Sequence, residues 1–450
     1  MMNDKDVDKC NSMTVQLKRE ITLYGLTMVA IGSCIGSGIF LTPSQIAQYL
    51  PSPLYILLVW TLGGVIALAG ALTFAELGSM FPQAGGVYGY LNKAYGPIFG
   101  FLYGWSYLFI ISSGAIAALA IAFATYLAVL VPLDERGITI VAVISIICVT
   151  LVNIFRVKAG EVFASVFTGL KLAGIAAIVV VGLFMGDPEL LSSGNTASTF
   201  GGSLFNAFGL ALVGVLWSYG GWQHATFLAG EAINPRRTVP RALIIGAAIV
   251  ALAYITINLA YLFLLPVDEI AASSSVAADA VRTIYPFSGK IIAVMIAVSV
   301  IGTAGIYTLS SPRLYYAMAG DRVFFKGLAR VHPRFRTPVN AILLQSAWAI
   351  FLLLLWGTFE DVITYVVFTD WIFFFLVAVS VFVFRVKKKD EPRPYKTWGY
   401  PITPIVFIVC TFLFVVNTLI QKPLQAWAGL ILVAVGIIIY FCFRKFGANS

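Results

Sequence analysis

Lys171 and Asp370 lie where ionisable residues are least expected. Lys171 sits about ten residues from either end of an apolar run over 161–185. Asp370 lies about nine residues into another run over 361–384. A charge held at that depth is costly, so both side chains should face other protein. Little around them could make or break covalent bonds. The chain has two histidines, His224 and His332, and no HExxH pattern or nucleotide-binding P-loop. Its five cysteines (Cys10, Cys34, Cys148, Cys410 and Cys442) show no paired spacing. The chemistry on offer is therefore binding. The remaining unusual residues are glycines, Gly36 and Gly38 within Ser33-Cys34-Ile35-Gly36-Ser37-Gly38-Ile39-Phe40, and Gly220 and Gly221 within Leu216-Trp217-Ser218-Tyr219-Gly220-Gly221-Trp222. Each glycine costs a helix interior about 1 kcal/mol relative to alanine. Unwound backbone is tolerated at membrane depth only where it lines a cavity or is buried in protein.

The elements that must position these residues are membrane helices. Hydrophobic residues make up 60% of the chain, charged residues 11%, and the mean hydropathy is +0.93. That composition excludes a soluble globular protein and predicts a polytopic all-α membrane protein. Apolar segments fall at roughly 21–48, 54–77, 98–131, 138–155, 161–185, 204–230, 240–265, 289–317, 339–357, 361–384, 402–420 and 424–443. Each comes near the ~20 residues a helix needs to cross a bilayer, which predicts 12 transmembrane helices. The polar first twenty residues carry no cleavage site, so the first segment is expected to stay.

The net charge of +9 could suggest nucleic acid, but its distribution points to the positive-inside rule. Most of the 29 Lys and Arg fall on the side of the N-terminus. Arg136, Arg282, Lys290 and Lys422 are the exceptions on the other side, and Lys171 lies inside a segment. Both termini are then cytoplasmic. The expected organisation is a cytoplasmic tail (1–20), helices 1–5 (21–185), helices 6–10 (204–384), a basic cytoplasmic loop (385–401), helices 11–12 (402–443) and a C-terminal tail (444–450). The loop from Phe81 to Tyr90 reads as a tight structured turn, and Val267–Ser288 as room for a short external helix.

The two glycine breaks begin about fifteen residues into the first and sixth segments. Five crossings separate those segments, so they run in opposite directions. Interrupted helices at matching places in two halves point to a binding site at the interface of an inverted 5+5 repeat. A broken helix leaves unpaired N–H groups on one half and unpaired C=O groups on the other. The first suit a carboxylate and the second an ammonium, so two opposed breaks suit a zwitterion such as an α-amino acid.

Several motifs resemble those of the amino acid–polyamine–organocation superfamily. They are Gly32-x-x-Ile35-Gly36-Ser37-Gly38-Ile39-Phe40 and Glu76-Leu77 followed by Phe81-Pro82-x-x-Gly85-Gly86-x-Tyr88-x-Tyr90. Tyr219-Gly220-Gly221-Trp222 with Glu231-x-x-Asn234-Pro235-x-Arg237-x-x-Pro240, Ser310-Ser311-x-Arg313 and His332-Pro333 are similar to its L-amino-acid transporter branch. The resemblance runs from about residue 15 to 440. It implies a LeuT-type fold with discontinuous helices 1 and 6 and two appended helices, and transport of amino acids, often by exchange.

Carried onto this chain, the resemblance places a substrate carboxylate at Ile35, Gly36, Ser37 and Gly38. It places the amino group at carbonyls near Trp217, Ser218 and Tyr219. Ser33 and Gly220 flank the two breaks and complete the expected substrate site. Trp217 matches a bulky outer gate. Lys171 matches a family lysine whose ammonium stands where sodium binds in sodium-coupled relatives, joining helices 1, 5 and 8; a proton-carrying role for it also stays open. Asp370 departs from the asparagine common at its position; pocket lining, proton holding and a structural link all remain open for it. An inverted repeat places Lys171 and Asp370 on opposite sides of the site, so no direct ion pair between them is expected.

Other polar residues read as structural. Glu76 and Glu231 should pair with nearby arginines at half-exposed helix ends. His224 should pack, with a proton relay as its alternative, and Cys34 should pack, with a substrate contact or reactive thiol as its alternative. The loop 131–137, Val-Pro-Leu-Asp-Glu-Arg-Gly, lacks the cysteine that tethers a heavy chain in heterodimeric family members. No disulfide-linked partner, cofactor, metal or nucleic acid is expected. The function these readings favour is sodium-independent exchange or proton-linked uptake of neutral L-amino acids. Cationic amino acids or small amines are the alternative substrates. An intramembrane enzyme lacks its ingredients, and a channel does not fit two local breaks flanked by Trp217, Tyr219 and Trp222.

Overall fold

The computed structural model of the chain describes residues 17–155, 157–192, 203–355 and 359–447. Most of the expected N-terminal tail, the link over 193–202 and the last residues of the C-terminal tail lie outside them. The described residues are helical throughout, apart from one isolated parallel bridge between Ile21 and Ala232.

The first apolar run forms two helices, α1 (Leu23–Cys34) and α2 (Gly38–Tyr49). Thr22 opens α1 by accepting a hydrogen bond from the Gly25 amide, and helix is lost at Ile35, Gly36 and Ser37. Then come α3 (Pro53–Met80), α4 (Val87–Tyr95), α5 (Pro97–Ala128), α6 (Glu135–Phe155) and α7 (Val157–Met185). The sixth run forms α8 (Leu204–Tyr219), a turn, a single helical turn at His224–Phe227 and a 3₁₀ turn at Ala229–Glu231. The remainder is α9 (Pro235–Leu264), α10 (Gly289–Ser310), α11 (Pro312–Gly320), α12 (Val339–Leu355), α13 (Phe359–Lys387), α14 (Ile402–Gln421) and α15 (Pro423–Gly447). Proline begins α3, α5 and α9, where its missing N–H is no loss.

Eleven spans among the described residues are long and apolar enough to cross a membrane. The sequence predicts twelve. The difference is α12, an apolar helix of 17 residues, whose expected end at 356–357 lies outside the described residues. One further feature was not expected: the middle of α5 is a π-helical segment, Tyr107–Ser112. The stretch after α9, read as room for one short helix, holds two, Val267–Ala272 and Val276–Arg282.

The broken segments lie at the centre. α1 packs on α7 and α9, and α2 packs along α8, while the single turn at His224–Phe227 packs on α1. α9 in turn packs along α3, and α10 against α5 and α7.

Glu76 and Glu231 do pair with arginines, and both carboxylates are buried rather than half-exposed; Arg313 is buried with its partner, whereas Arg385 stays partly exposed. Glu76 accepts from Arg385 at 2.7 and 3.0 Å and from the backbone N–H and hydroxyl of Thr397, both at 2.8 Å. The loop after α13 folds over the end of α3 and covers the Glu76 carboxylate. Glu231 and Arg313 meet at 3.2 Å with neither side chain exposed, and Arg313 also donates to the Leu309 carbonyl. Residues Glu20 and Ile21 cover this second pair, donating both backbone amides to the Glu231 carbonyl at 2.9 Å.

Candidate substrate site

The two breaks touch. Gly221 adopts φ +124, and a Cβ there would lie 2.5 Å from the Ser33 carbonyl oxygen. The Ser33 hydroxyl is 2.8 Å from the Gly221 carbonyl, and also within reach of the Val29 and Ala30 carbonyls. The Cys34 thiol lies 3.6 Å from the Tyr219 carbonyl, a packing role in keeping with its full burial. Tyr254, from α9, places its hydroxyl 2.9 Å from the Cys34 carbonyl and 3.0 Å from that of Ser218. Its single proton is thus shared between the two breaks.

On the other side of the first break, α2 begins against α8. A Cβ on Gly38 would come 2.4 Å from Ser218 Oγ and 2.9 Å from Ser218 Cα, so only glycine allows this approach. Thr42 reinforces the contact, donating to the Gly38 carbonyl at 2.9 Å and meeting Ser218 Oγ at 3.2 Å. Gly36 is different, since a Cβ there would meet Thr303 and Leu119 at ordinary contact distances. The first amides of α2 have no intrahelical partner, as at any helix start. Beside them Ser37 Oγ is buried with no hydrogen-bond partner.

The C-terminal carbonyls of α1 have the opposite character, and Lys171 answers them. Its ammonium donates to the Gly32 carbonyl at 2.9 Å, the Ile35 carbonyl at 2.7 Å and Thr303 Oγ1 at 2.6 Å. Three donors meet three acceptors, which satisfies a buried ammonium and offsets the negative end of a helix dipole. α1, α7 and α10 are thereby joined at one point.

Asp370 serves the second break through an intermediary. Gln223 accepts from the Gly221 N–H at 2.9 Å and donates to Asp370 Oδ2 at 3.3 Å. Asp370 Oδ1 is buried without a partner. Lys171 and Asp370 form no ion pair. His224 is satisfied on both ring nitrogens, by the Tyr107 and Ser310 hydroxyls.

The structure therefore brings Ser33, Ile35, Gly36, Ser37, Gly38, Ser218, Tyr219 and Gly220 to one buried place. Trp217 is half-buried above it and packs against both hydrophobic clusters of the core. Thr303, Tyr254 and Gln223 were not singled out from sequence. Threonine and glutamine carry no signal in an apolar run, but a mid-span tyrosine such as Tyr254 needs a partner for its hydroxyl and could have been questioned.

A buried place made of two helix breaks, with amides on one side and carbonyls on the other, is the kind of arrangement membrane carriers use for small polar solutes. The chain belongs to the amino acid permease family, whose pattern matches residues 21–442. It is a multi-pass membrane transporter and not an enzyme. It is 35% identical over 434 residues to the serine/threonine exchanger SteT of Bacillus subtilis (strain 168), covering 95% of this chain and 98% of that protein. It is 30% identical over 459 residues to the human b(0,+)-type amino acid transporter 1, covering 99% and 92%. It is 30% identical over 436 residues to the human large neutral amino acids transporter small subunit 2, covering 95% and 81%.

Proposed function

We propose that this chain exchanges neutral L-amino acids across the membrane without sodium, by alternating access around the two breaks. The substrate carboxylate takes the amide and hydroxyl of Ser37 with the amide of Gly38, beside Ile35 and Gly36. The ammonium takes carbonyls of Trp217, Ser218 and Tyr219, with Ser33 and Gly220 shaping the floor. The observation that carries this reading is the buried, unpartnered Ser37 hydroxyl at the amide start of α2. Sodium independence follows from Lys171, whose ammonium occupies the carbonyls a cation would otherwise use. Exchange, rather than proton-linked uptake, is favoured by the likeness to a serine/threonine exchanger.

The same reading gives α12 the role of a short ninth span, completing twelve in an inverted 5+5 repeat (21–185 and 204–384) with two appended helices, both termini in the cytoplasm. Trp217 is the outer gate. The chain works without a disulfide-linked heavy chain, since the loop 131–137 has no cysteine.

The test is counterflow in sodium-free proteoliposomes after a thermal-shift screen of the twenty amino acids. Internal serine or another hit should accelerate uptake of labelled substrate. Uptake that is indifferent to internal substrate, or that collapses without sodium, would reject exchange. A second reading rests on the unpartnered Asp370 Oδ1, which could take a cationic side chain or small amine. Lysine or arginine as the strongest hits would put it first.

A further inference from the structure

The lead into α1, the start of α7 and the turn before α12 meet over a cleft of about 640 Å³ that shares no lining residue with the two breaks. Four residues lining it are basic, namely Lys18, Lys158, Arg334 and Arg336, against one acid, Glu20. The lysines have counterions. Lys18 pairs with Glu20, and Lys158 with Glu161 at 2.6 Å. The guanidiniums of Arg334 and Arg336 have none among the described residues.

The turn that carries these two arginines is fixed. His332 donates its backbone N–H to the Thr337 carbonyl and accepts from Arg336, both at 2.9 Å. Its Nδ1 accepts from the Arg334 and Phe335 amides at 3.3 Å, and its ring stacks on Phe335 at 4.4 Å. Thr337 anchors the turn to the end of α6 through the Ile154 carbonyl at 2.7 Å. Arg336 holds φ +59, a conformation that a side-chain-bearing residue adopts at a cost. Two arginines without a counterion, on a fixed turn, thus share the cleft with two lysines whose charges are met by Glu20 and Glu161.

We propose that the cleft binds the phosphate of an anionic phospholipid. Guanidinium pairs match phosphate oxygens in a fork geometry. The cleft lies at the end of the bundle where α1, α7 and α12 begin and α6 ends, hence at a membrane surface. Phe335 lines the cleft and meets Phe155 edge-on at 5.3 Å, and Phe155 is 53% exposed on the outer face of α6. An acyl chain can continue from the cleft along that face, which a free phosphate cannot exploit. The proposal rests on the membrane-spanning reading of these helices, but not on which side faces the cytoplasm.

The experiment uses the full chain in nanodiscs of phosphatidylcholine, with or without a minority of phosphatidylglycerol, in both leaflets so that orientation is immaterial. In the wild type, phosphatidylglycerol should be enriched among retained lipids. That enrichment should fall about thirtyfold in R334Q/R336Q, as two interfacial charges are lost. It should persist in a control variant, R322Q/R330Q. A phosphatidylglycerol with a photoreactive headgroup should label residues 17–20 and 332–337 of the wild type, an outcome independent of how any variant folds. Undiminished enrichment in R334Q/R336Q, or labelling elsewhere, would overturn the proposal. So would inorganic phosphate raising the wild-type melting temperature in phosphatidylcholine discs as much as phosphatidylglycerol does, which would make the cleft a site for soluble anions. Counterflow is read separately, so the transport reading stands or falls on its own.

Discussion

The first break interrupts its span only at Ile35, Gly36 and Ser37, and regular helix resumes on both sides. The second is followed by a single helical turn at His224–Phe227 and a 3₁₀ turn, so it has no second half-helix of comparable length. The first therefore offers two real helix ends, one of which Lys171 holds directly through backbone carbonyls. The second offers one helix end, and its loose backbone is held by the side chains of Ser33, Gln223 and Tyr254. In the proposed repeat, α7 and α13 are counterparts. Lys171 on the one grips the first break, whereas Asp370 on the other reaches the second only through Gln223. The comparison assigns stiffness and charge to the first break and adjustable hydrogen bonding to the second.

The largest expected effect comes from breaking the stiff side. Lys171→Ala leaves the Gly32 and Ile35 carbonyls with the Thr303 hydroxyl and a long contact from Ser299 at 3.5 Å, and buried bonds left unmade cost about 1–3 kcal/mol each. Exchange should fall to background in counterflow, while a substrate-induced melting shift survives because the amide start of α2 is untouched. Full exchange in this variant would show that the first break needs no ammonium.

Next in size is a pair of glycine substitutions that separates packing from binding. Gly221→Ala forces a Cβ onto the Ser33 backbone at a positive φ, and strain with overpacking should lower stability by about 2–4 kcal/mol. Gly36→Ala meets only ordinary contacts, so melting should change by less than about 1 kcal/mol while substrate affinity falls about tenfold. Equal loss of stability in both would erase the distinction. Gly38 is a poorer probe of binding than its place in the motif suggests. Its hydrogen atoms face Ser218, so Gly38→Leu would wedge α2 from α8 whatever the substrate does.

Much of this was legible in the sequence because membrane helices announce themselves. Apolar length, basic loops and glycine pairs marked the spans and both breaks. Lys171 stood out because a charge at that depth has to be answered by protein. Three things were not legible. The second half of the sixth segment reads as apolar, yet Gly220 and Gly221 prevent its extension into regular helix. The burial of the Glu76 and Glu231 carboxylates was hidden because the segments that cover them are distant in sequence. Thr303 and Tyr254 are polar residues in apolar runs, and whether they meet a break depends on helix rotation that periodicity does not fix when the whole helix circumference is apolar. Gln223 lies in the second break itself, and its role depends on how that turn folds back on Gly221.

The adjustable side should respond more mildly. Tyr254→Phe removes one hydroxyl shared by the Cys34 and Ser218 carbonyls, a loss of about 1 kcal/mol. Stability should fall by that amount and exchange by a few-fold, since both breaks are loosened but neither loses its charge partner. A loss as large as that of Lys171→Ala would mean that the hydroxyl, rather than the ammonium, sets the geometry of the first break.

Asp370→Asn should be the smallest change for neutral substrates. The amide retains an oxygen that can accept from Gln223 Nε2, so the link to the Gly221 amide survives and melting should move by less than about 1 kcal/mol. What the substitution removes is the capacity for negative charge at the buried, unpartnered Oδ1. If the pocket serves neutral amino acids, alanine and serine exchange should continue at near wild-type rates. If lysine or arginine uptake disappears while alanine exchange is spared, Oδ1 is the anchor for a cationic side chain, and the second break then carries charge as well as adjustable hydrogen bonds. Measuring both substrate classes in the same vesicles decides between these, because a general loss of folded protein would lower both together.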